Sequence, residues 1–342
     1  MAKWQGYMHG VNLGGWLSQC DHTKERYETF IKESDIAVIK GWGLDHIRLP
    51  IDYDLVEDDE GNYKEDGFTY IDRAVEWCGK YGLNLLIDLH KTFGYSFDAG
   101  EKEEGFFDRE DYQERFYRLW EEFAKRYGKY EDRLSFELLN EVTDRSYCEK
   151  WNEISTNCIR RIRKIAPTIH ILIGGYHYNS VEAIPDLAMP VDENVIYNFH
   201  CYDPTVFTHQ GAYWIETMDR DFRISKDATY AELQAAHEAN VPGHFKGAGH
   251  FPADGHLDEN YFLWFFEQAA KVAKERGTSL YCGEYGVIDL ADPEDALAWY
   301  KMISAAFEQY GIGRAAWSYK EMDFGLADAH MDSVREEVLK LL

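Results

Sequence analysis

Short apolar runs alternate with longer amphipathic stretches along most of this chain, and this alternation limits the possible folds more than any other feature. Eight runs have the length and composition of buried strands, at residues 7–12, 46–49, 84–89, 134–140, 170–174, 195–200, 279–284 and 313–319. Stretches between them carry apolar residues at three- and four-residue spacing, as helices packed on one face do, at 70–80, 111–126, 148–165, 261–276 and 293–309. This alternation predicts a parallel sheet built from repeated βα units.

The number of units favours a closed barrel. Eight strands, each followed by a helix, predict an α/β fold of the (β/α)8 TIM-barrel type, whose usual size is about 250 residues. The chain has 342 residues, so we expect a single domain over 1–342 with a small subdomain inserted after the sixth strand. A doubly wound open sheet is the alternative, but residues 10–15, Gly-Val-Asn-Leu-Gly-Gly, do not match its phosphate-binding turn G-x-G-x-x-G.

One connection, at about 203–260, is far longer than the usual βα loop of roughly two to six residues. We expect it to form the small subdomain, with a helix at 230–239. Its tail contains His244, His250 and His256. Three histidines suggest a metal site, but their spacing matches neither a helical i,i+4 pair nor a zinc-finger pattern, so we expect no metal there.

The charge of the chain argues against two classes of partner. Asp and Glu number 62 against 36 Lys and Arg, and the formal net charge is −26 at pH 7. A field of this sign repels nucleic-acid phosphates and anionic lipid headgroups. We therefore expect no nucleic acid and no membrane among the partners, and a chain that acts as a monomer.

Targeting signals and cysteine pairing are not evident in the sequence. No apolar run approaches the roughly 18 residues of a membrane span. The first residues lack the apolar segment of a secretory signal, so we expect either a cytoplasmic protein or a secreted one whose signal was removed. The six cysteines, at 20, 78, 148, 158, 201 and 282, show no C-x-x-C pattern, and we expect them to be reduced.

Polar and aromatic residues stand at the C-terminal ends of the predicted strands, where a (β/α)8 barrel places its reactive groups. They are Arg48, His90, Asn140, Glu141, His200, Tyr202, Glu284 and Trp317. Each alone has an ordinary explanation, such as an arginine buried beside Glu137, a histidine with a core hydrogen bond or a packed tryptophan. Eight such residues at one end of successive strands are hard to explain by packing and predict a functional site.

Two of these residues suggest the chemistry. Glu141 closes the run Phe-Glu-Leu-Leu-Asn-Glu at 136–141, and Glu284 lies within Leu-Tyr-Cys-Gly-Glu-Tyr-Gly at 280–286. A retaining glycosidase needs one carboxyl that donates a proton and a second that attacks the sugar, about 5 to 5.5 Å apart. Paired acids are common on protein surfaces, so the residues around the pair carry much of the argument.

Motifs along nearly the whole chain make it similar to a known family. They are Val-Asn-Leu-Gly-Gly-Trp at 11–16, His-Ile-Arg-Leu-Pro at 46–50, Asp-Leu-His at 88–90, the run at 136–141, Tyr-Asn-Phe-His-Cys-Tyr at 197–202, Phe-Thr-His-Gln at 207–210, Tyr-Cys-Gly-Glu-Tyr-Gly at 281–286 and Trp-Ser-Tyr at 317–319. With these motifs the chain resembles glycoside hydrolase family 5 of the clan A barrels, in particular compact single-domain bacterial endoglucanases of the endoglucanase C type. The insertion resembles the lid-like subdomain of that subgroup.

The resemblance implies a role for each glutamate. Glu141 would be the acid/base, which requires a pKa above that of an ordinary carboxylic acid. Glu284 would be the nucleophile, kept ionised by the nearby charge of Arg48 and by a hydrogen bond from the Tyr202 hydroxyl.

The resemblance also implies substrate-binding roles. Asn140 would hold the sugar 2-OH, and Trp317 would stack on the sugar ring at the cleavage subsite. His90 and His200 would orient hydroxyls and the acid/base. No metal ion and no organic cofactor is implied.

The implied substrate is a cellulose-like or mixed-linkage β-glucan whose internal β-1,4 bonds are cleaved by double displacement. An endo-β-mannanase or glucomannanase and a β-1,3-glucan hydrolase are alternatives, because a few loop side chains set selection at the 2-OH and at the linkage. A catalytically silent sugar-binding barrel is a further alternative, which the presence of both glutamates disfavours.

Two departures from the family pattern lie near the site. Val142 stands where many members have proline, and residues 91–94 read Lys-Thr-Phe-Gly where a second histidine is frequent. Neither change removes a catalytic group. The second predicts a cation and an aromatic ring on the rim of the cleft near the third strand.

The tryptophans divide by position. Trp16, Trp214 and Trp317 fall on predicted loops or strand ends, and we expect them to form sugar subsites. Others fall within helical patterns and are expected to pack between helix and barrel: Trp77, Trp120, Trp151, Trp264 and Trp299.

Overall fold

The computed structural model describes residues 3–98, 101 and 104–342 of the chain. Eight parallel strands close into a barrel in chain order, and β1 pairs with both β2 and β8. The strands are β1 (His9–Asn12), β2 (His46–Asp52), β3 (Asn84–Lys91), β4 (Leu134–Glu137), β5 (His170–Ile173), β6 (Val195–Cys201), β7 (Leu280–Tyr285) and β8 (Gly313–Ala316). The predicted (β/α)8 barrel is confirmed, and the doubly wound alternative is wrong.

Two strands end three residues earlier than the sequence predicted. β4 ends at Glu137, because beyond it only isolated bonds continue the ladder, such as that from the Asn140 N–H to the Leu89 carbonyl. β8 ends at Ala316, one residue before Trp317. Asn140 and Trp317 therefore lie on short extensions past the strands.

The long helices surround the barrel close to where the periodicity predicted them. The helical segments are α1 (Lys24–Thr29), α2 (Glu33–Gly41), α3 (Tyr53–Val56), α4 (Glu65–Tyr81), α5 (Glu110–Tyr127), α6 (Cys148–Ile162), α7 (Tyr176–Asn179), α8 (Thr205–Thr208), α9 (Tyr230–Asn240), α10 (Glu259–Glu275), α11 (Pro293–Tyr310) and α12 (Arg335–Leu339). Local sequence explains several starts: Asp292 caps α11, whose first residue is proline. The segment α7 is a single left-handed turn, with φ values of 51° to 58° at 177–179.

The inside of the barrel is layered because strand side chains alternate between its two faces. An apolar cluster forms one layer, from Trp4, Tyr7, Leu86, Leu172, Ile196, Tyr281 and Ala315. Two residues past Leu86 on β3 lies Asp88, and its ion-pair partner Arg48 lies on β2; both are fully buried. The alternation thus places charged side chains above an apolar floor, toward the C-terminal ends of the strands.

Most tryptophans behave as predicted, with one exception. Trp120, Trp151 and Trp299 are fully buried, and Trp77 and Trp264 are partly buried against the same core. The prediction that Trp16 forms a sugar subsite is wrong: it is fully buried, stacks on Trp77 at 6.0 Å and donates its indole N–H to the Tyr27 carbonyl at 2.9 Å. The loop after β1 folds back into the core, which loop composition alone does not reveal.

Residues 202–258 connect β6 to α10 and contain α8 and α9. Tyr230 on α9 stacks on Phe251 with ring centroids 4.7 Å apart. Lys246, near the end of this segment, forms ion pairs with Glu182 at 3.1 Å and with Asp203, at the start of the segment, at 3.7 Å. His250 in the tail stacks on Trp264 at 4.5 Å.

The six cysteines are all free thiols. Among the described residues, no helix has the length and apolarity that crossing a membrane requires.

Candidate active site

Arg48 organises the mouth of the barrel. Its guanidinium is fully buried and donates to Glu137 through two bonds of 2.7 and 2.8 Å. It also lies 3.0 Å from Asp88 and donates to Glu284 at 2.8 Å. One cation thus faces three carboxyls. Burial raises the pKa of both Asp88 and Glu137 to about 7, although Arg48 opposes the rise.

Glu284 is held on β7 by fixed donors at both oxygens. Arg48 donates to Oε1 at 2.8 Å, and the Tyr202 hydroxyl donates to Oε2 at 2.9 Å. The register of β6 and β7 shifts just before this point, so Gly283 has no direct partner residue. A side chain at Gly283 would lie 2.9 Å from atoms of Asn198 and His200, so only glycine permits this close approach.

Glu141 lies on a loop and not on a strand. Its φ of 36° falls in the left-handed region, which is strained for a residue with a side chain. The Tyr95 hydroxyl donates to the Glu141 carbonyl at 2.7 Å and accepts from the Thr143 N–H at 2.9 Å. These bonds fix the loop, and they place the Glu141 carboxyl 2.8 Å from His200 Nδ1.

The two glutamates form one close pair. One carboxylate oxygen of each, together with a ring nitrogen of His200, lie within 4.8 Å of one another. So close an approach of two oxygens is compatible with the carboxyl spacing of about 5 to 5.5 Å that retention requires.

The environments of the two carboxyls differ. Burial raises the pKa of both, and the negative charge of Glu284 raises that of Glu141 further. At Glu284 the rise is opposed by Arg48 and by the hydrogen bond from Tyr202. Protonated Glu141 beside ionised Glu284 is therefore the favoured state of the pair.

Both histidines at the site are neutral. Burial lowers the pKa of His90 to about 3, and burial together with Arg48 holds that of His200 well below its usual range. His90 Nδ1 lies 2.5 Å from the Asp88 carboxylate, which leaves Nε2 free to face the cleft. Asn179 lies 3.5 Å from His200 Nε2, on the side opposite Glu141.

Trp317 and Asn140 complete the floor of the cleft. The Trp317 ring lies parallel to His90 at 5.9 Å and is 6% exposed. The Asn140 amide oxygen accepts from Arg48 at 2.9 Å. Its buried Nδ2 has no hydrogen-bond partner among the described residues. A donor oriented by Arg48 and left unpaired in this way is available to a ligand.

The rim of the cleft carries exposed aromatic rings on two sides. Trp214 is 44% exposed and packs against His209 at 5.7 Å, which itself contacts Tyr202 at 5.0 Å. Tyr178, in the left-handed turn, is 51% exposed. The Tyr178 N–H donates to the Val142 carbonyl at 3.0 Å, so this turn lies beside Glu141. Partial burial and the charge of Glu141 both raise the pKa of Tyr178.

The prediction of a cation on the rim near β3 is wrong. Lys91 is buried and forms ion pairs with Asp98 at 2.7 Å and Glu101 at 2.6 Å. Phe93 packs on Tyr112 with ring centroids 4.7 Å apart and lies under Arg115. These partners come from the chain after β3, and no local pattern at 91–94 indicates them.

Two groups of residues in the described part of the chain bring three metal-ligating atoms within 4.8 Å: Glu141 with His200 and Glu284, and His22 with Asp52 and Asp54. Neither group includes a histidine of the insertion tail. The first is the carboxyl pair itself; the second lies beside β2.

Sequence reasoning did not single out several residues that support the site. Asp88 and Asn198 stand two positions before His90 and His200, and the two-residue period of a strand could have identified them. Tyr95 and Tyr178 lie on loops, where no periodicity indicates which side chain points into the cleft.

Comparisons with known proteins agree with this geometry. The sequence model of the family described as cellulase (glycosyl hydrolase family 5) matches residues 8–323. Cellodextrinase A of Ruminococcus flavefaciens is 50% identical over 314 residues, which cover 92% of this chain and 86% of that protein. Endoglucanase C of Acetivibrio thermocellus is 37% identical over 348 residues, 97% of each chain.

Solved structures give the same result for the fold. The endoglucanase Cel5A of Thermotoga maritima superposes with a TM-score of 0.76 at 26% identity, over 98% of this chain and 97% of that one. A family match over most of the chain and relatives of this identity show membership. The chain therefore belongs to glycosyl hydrolase family 5, the cellulase family.

Proposed function

We propose that Glu141 and Glu284 are the acid/base and the nucleophile with which this glycoside hydrolase cleaves internal β-1,4-glucosidic bonds of β-glucan chains, with retention. The observation that carries the assignment is the carboxyl pair with one oxygen of each within 4.8 Å, in which only Glu284 has a cationic donor and a hydroxyl donor. The carboxyl with those donors is suited to attack as an anion, and the other is suited to remain protonated.

In the first step the Glu284 carboxylate attacks C1 of the sugar. The C1–O bond to the leaving sugar breaks, and the Glu141 proton goes to the departing oxygen. A glycosyl ester on Glu284 results, and the leaving fragment departs with a free 4-OH, its new non-reducing end. Arg48 and Tyr202 hold the attacking carboxylate, and the Tyr95 bond to the Glu141 carbonyl holds the proton donor.

In the second step Glu141 acts as a base. Ester formation removes the negative charge of Glu284, which is one cause of the raised pKa of Glu141. Glu141, now ionised, takes a proton from water, whose oxygen bonds to C1 as the ester breaks. The product keeps the β configuration, and both carboxyls return to their first state.

The floor of the cleft offers a donor for the sugar 2-OH. The unpaired Asn140 N–H is available to that hydroxyl, an interaction that strengthens as positive charge develops at C1. The neutral Nε2 of His90 and the exposed part of Trp317 lie side by side for the same sugar ring.

The relatives suggest that short chains are good substrates. One relative is a cellodextrinase at 50% identity and another an endoglucanase at 37%. We therefore expect cello-oligosaccharides to be turned over along with soluble β-glucans. The Thermotoga enzyme has also been solved with mannotriose, at 25% identity to this chain, so glucomannan is the alternative to test.

The test is reducing-sugar release from carboxymethylcellulose, barley β-glucan, glucomannan and cellotetraose, with Glu141→Gln as the blank. We expect release from the glucans and cellotetraose that the variant loses. Release confined to glucomannan would overturn the glucan assignment, and silence on all four substrates would overturn the proposed function.

A further inference from the structure

A second polar cluster lies apart from the carboxyl pair, where the loop after β1 passes the end of β2. His22, Asp52 and Asp54 each offer one ligand atom, and all three atoms lie within 4.8 Å of one another. His22 Nε2 and Asp52 Oδ2 are 3.7 Å apart. The two segments are joined here by the bond from the Asp52 N–H to the Leu17 carbonyl, at 3.1 Å.

Asp52 is the observation that points to a ligand. It is only 2% exposed, and its Oδ2 accepts no hydrogen bond from any residue that the structure describes. A buried carboxylate oxygen without a partner is costly unless a positive charge or a proton meets it. The charge of the buried Lys91 acts on Asp52, but the ion pairs of Lys91 are with Asp98 and Glu101.

Neighbouring hydroxyls fix the orientation of two of the three side chains. The Ser18 hydroxyl donates to Asp52 Oδ1 at 2.7 Å, which turns Oδ2 toward His22. His22 Nδ1 lies 3.0 Å from the Tyr27 hydroxyl, which leaves Nε2 for Asp52 and Asp54. A histidine engaged at one nitrogen and free at the other is typical of metal sites.

We propose that His22, Asp52 and Asp54 bind a divalent transition metal ion of the zinc type. One imidazole and two carboxylates form a mixed set that suits zinc, whereas calcium and magnesium prefer oxygen ligands alone. Bond lengths of about 2 Å require the ligand atoms to approach by about 1 Å. Rotation of His22 and Asp54, both exposed, can supply this movement. The ion would link the loop after β1 to the start of α3.

The catalytic carboxyl pair with His200 could also hold zinc, so the test separates the two sites. Zinc chloride is titrated by calorimetry into the untagged full chain carrying Glu284→Gln, which disrupts that other group. We expect one zinc ion per chain. His22→Ala and Asp54→Asn, each added to this background, should weaken binding about tenfold or more. His256→Ala removes an exposed histidine outside both groups and should leave binding unchanged.

A second readout detects the link between the loops. Zinc should raise the Tm of the otherwise unaltered chain, and His22→Ala should abolish this rise, since a ligand that binds only the folded state stabilises it. Calcium at the same concentration should not reproduce it. The proposal is overturned if the Glu284→Gln protein binds no zinc, or if either His22→Ala or Asp54→Asn leaves its affinity unchanged.

Discussion

The two carboxyls of the site are the same residue type held in two different ways. Glu284 lies within β7, and both its oxygens receive fixed donors from Arg48 and Tyr202. Glu141 lies on a loop with a left-handed backbone, held through its carbonyl by Tyr95, and its carboxyl faces a neutral His200. Glu284 thus has a cationic donor, whereas Glu141 contacts a neutral imidazole.

This difference teaches how one barrel obtains an acid and an anion from identical side chains. Burial alone raises the pKa of both and would make them equivalent. The donors at Glu284 oppose that rise, while the charge of Glu284 adds to it at Glu141. The proposed roles therefore follow from the neighbours and not from the glutamates themselves.

The largest expected effect distinguishes the two glutamates by their products. Glu284→Ala and Glu141→Ala should each lower kcat on cellotetraose by about a thousandfold or more. With azide and an aryl cellobioside that has a good leaving group, Glu284→Ala should give the α-glycosyl azide, because azide enters the vacated face. Glu141→Ala should give the β-glycosyl azide, because azide attacks the ester on Glu284. NMR of the anomeric proton measures both.

Glu336→Ala, an exposed glutamate on α12, is the matched control and should retain full activity. The same anomer from both catalytic variants would contradict the assignment of roles.

Removing the charge of Arg48 should produce the next largest effect, on stability as well as rate. Arg48→Met leaves Asp88, Glu137 and Glu284 buried without their cation, at a cost of about 3 to 5 kcal/mol in the free energy of unfolding. The folded-state pKa of these carboxyls then lies further above the unfolded value. The folded state binds more protons, and the deficit should shrink as pH falls from about 8 to about 6. Urea unfolding at both pH values measures this; an equal deficit at both would contradict it.

Removing the hydroxyl that donates to Glu284 should raise the pKa of this carboxyl. The proposed mechanism needs Glu284 ionised, so the rate should rise as pH rises through the pKa of Glu284. Tyr202→Phe removes a hydrogen bond that lowers this pKa. The acidic limb of the kcat/KM profile should therefore move to higher pH by about one unit, the equivalent of one hydrogen bond to a charged group. A shift confined to the basic limb would instead place the Tyr202 effect on Glu141.

The smallest effect concerns the Glu141 side of the cleft. Tyr178 is half exposed and its N–H bonds to the Val142 carbonyl, next to Glu141, the proposed proton donor. We expect this ring to contact the leaving sugar. Tyr178→Ala should raise KM for cellotetraose about threefold to tenfold through loss of ring stacking. An aryl cellobioside, with no sugar beyond the cleaved bond, is the internal control and should be unaffected. Equal losses on both substrates would place Tyr178 elsewhere than at a leaving-group subsite.

Several parts of the site could be predicted from particular residues. His90 and His200 fall at the ends of apolar runs, and the two-residue strand period also gives the buried Asp88 and Asn198 beneath them. The same reasoning failed for Trp16 and Lys91. Trp16 lies on the loop after β1 and Lys91 is the last residue of β3, and only their contacts with other segments show that one is core and the other is neutralised.

The sequence by itself determined the eight-strand barrel, the end of it that carries the reactive groups, and the candidate glutamates. These follow from patterns within single strands and helices, which act over a few residues. Only the tertiary structure decided the separation of Glu141 and Glu284, the unequal charge around them and the place of the loop side chains. Those depend on Arg48, Tyr95 and Tyr202, which reach Glu284 or Glu141 from other βα units. Coulomb and burial energies depend on distances in space and not on position along the chain.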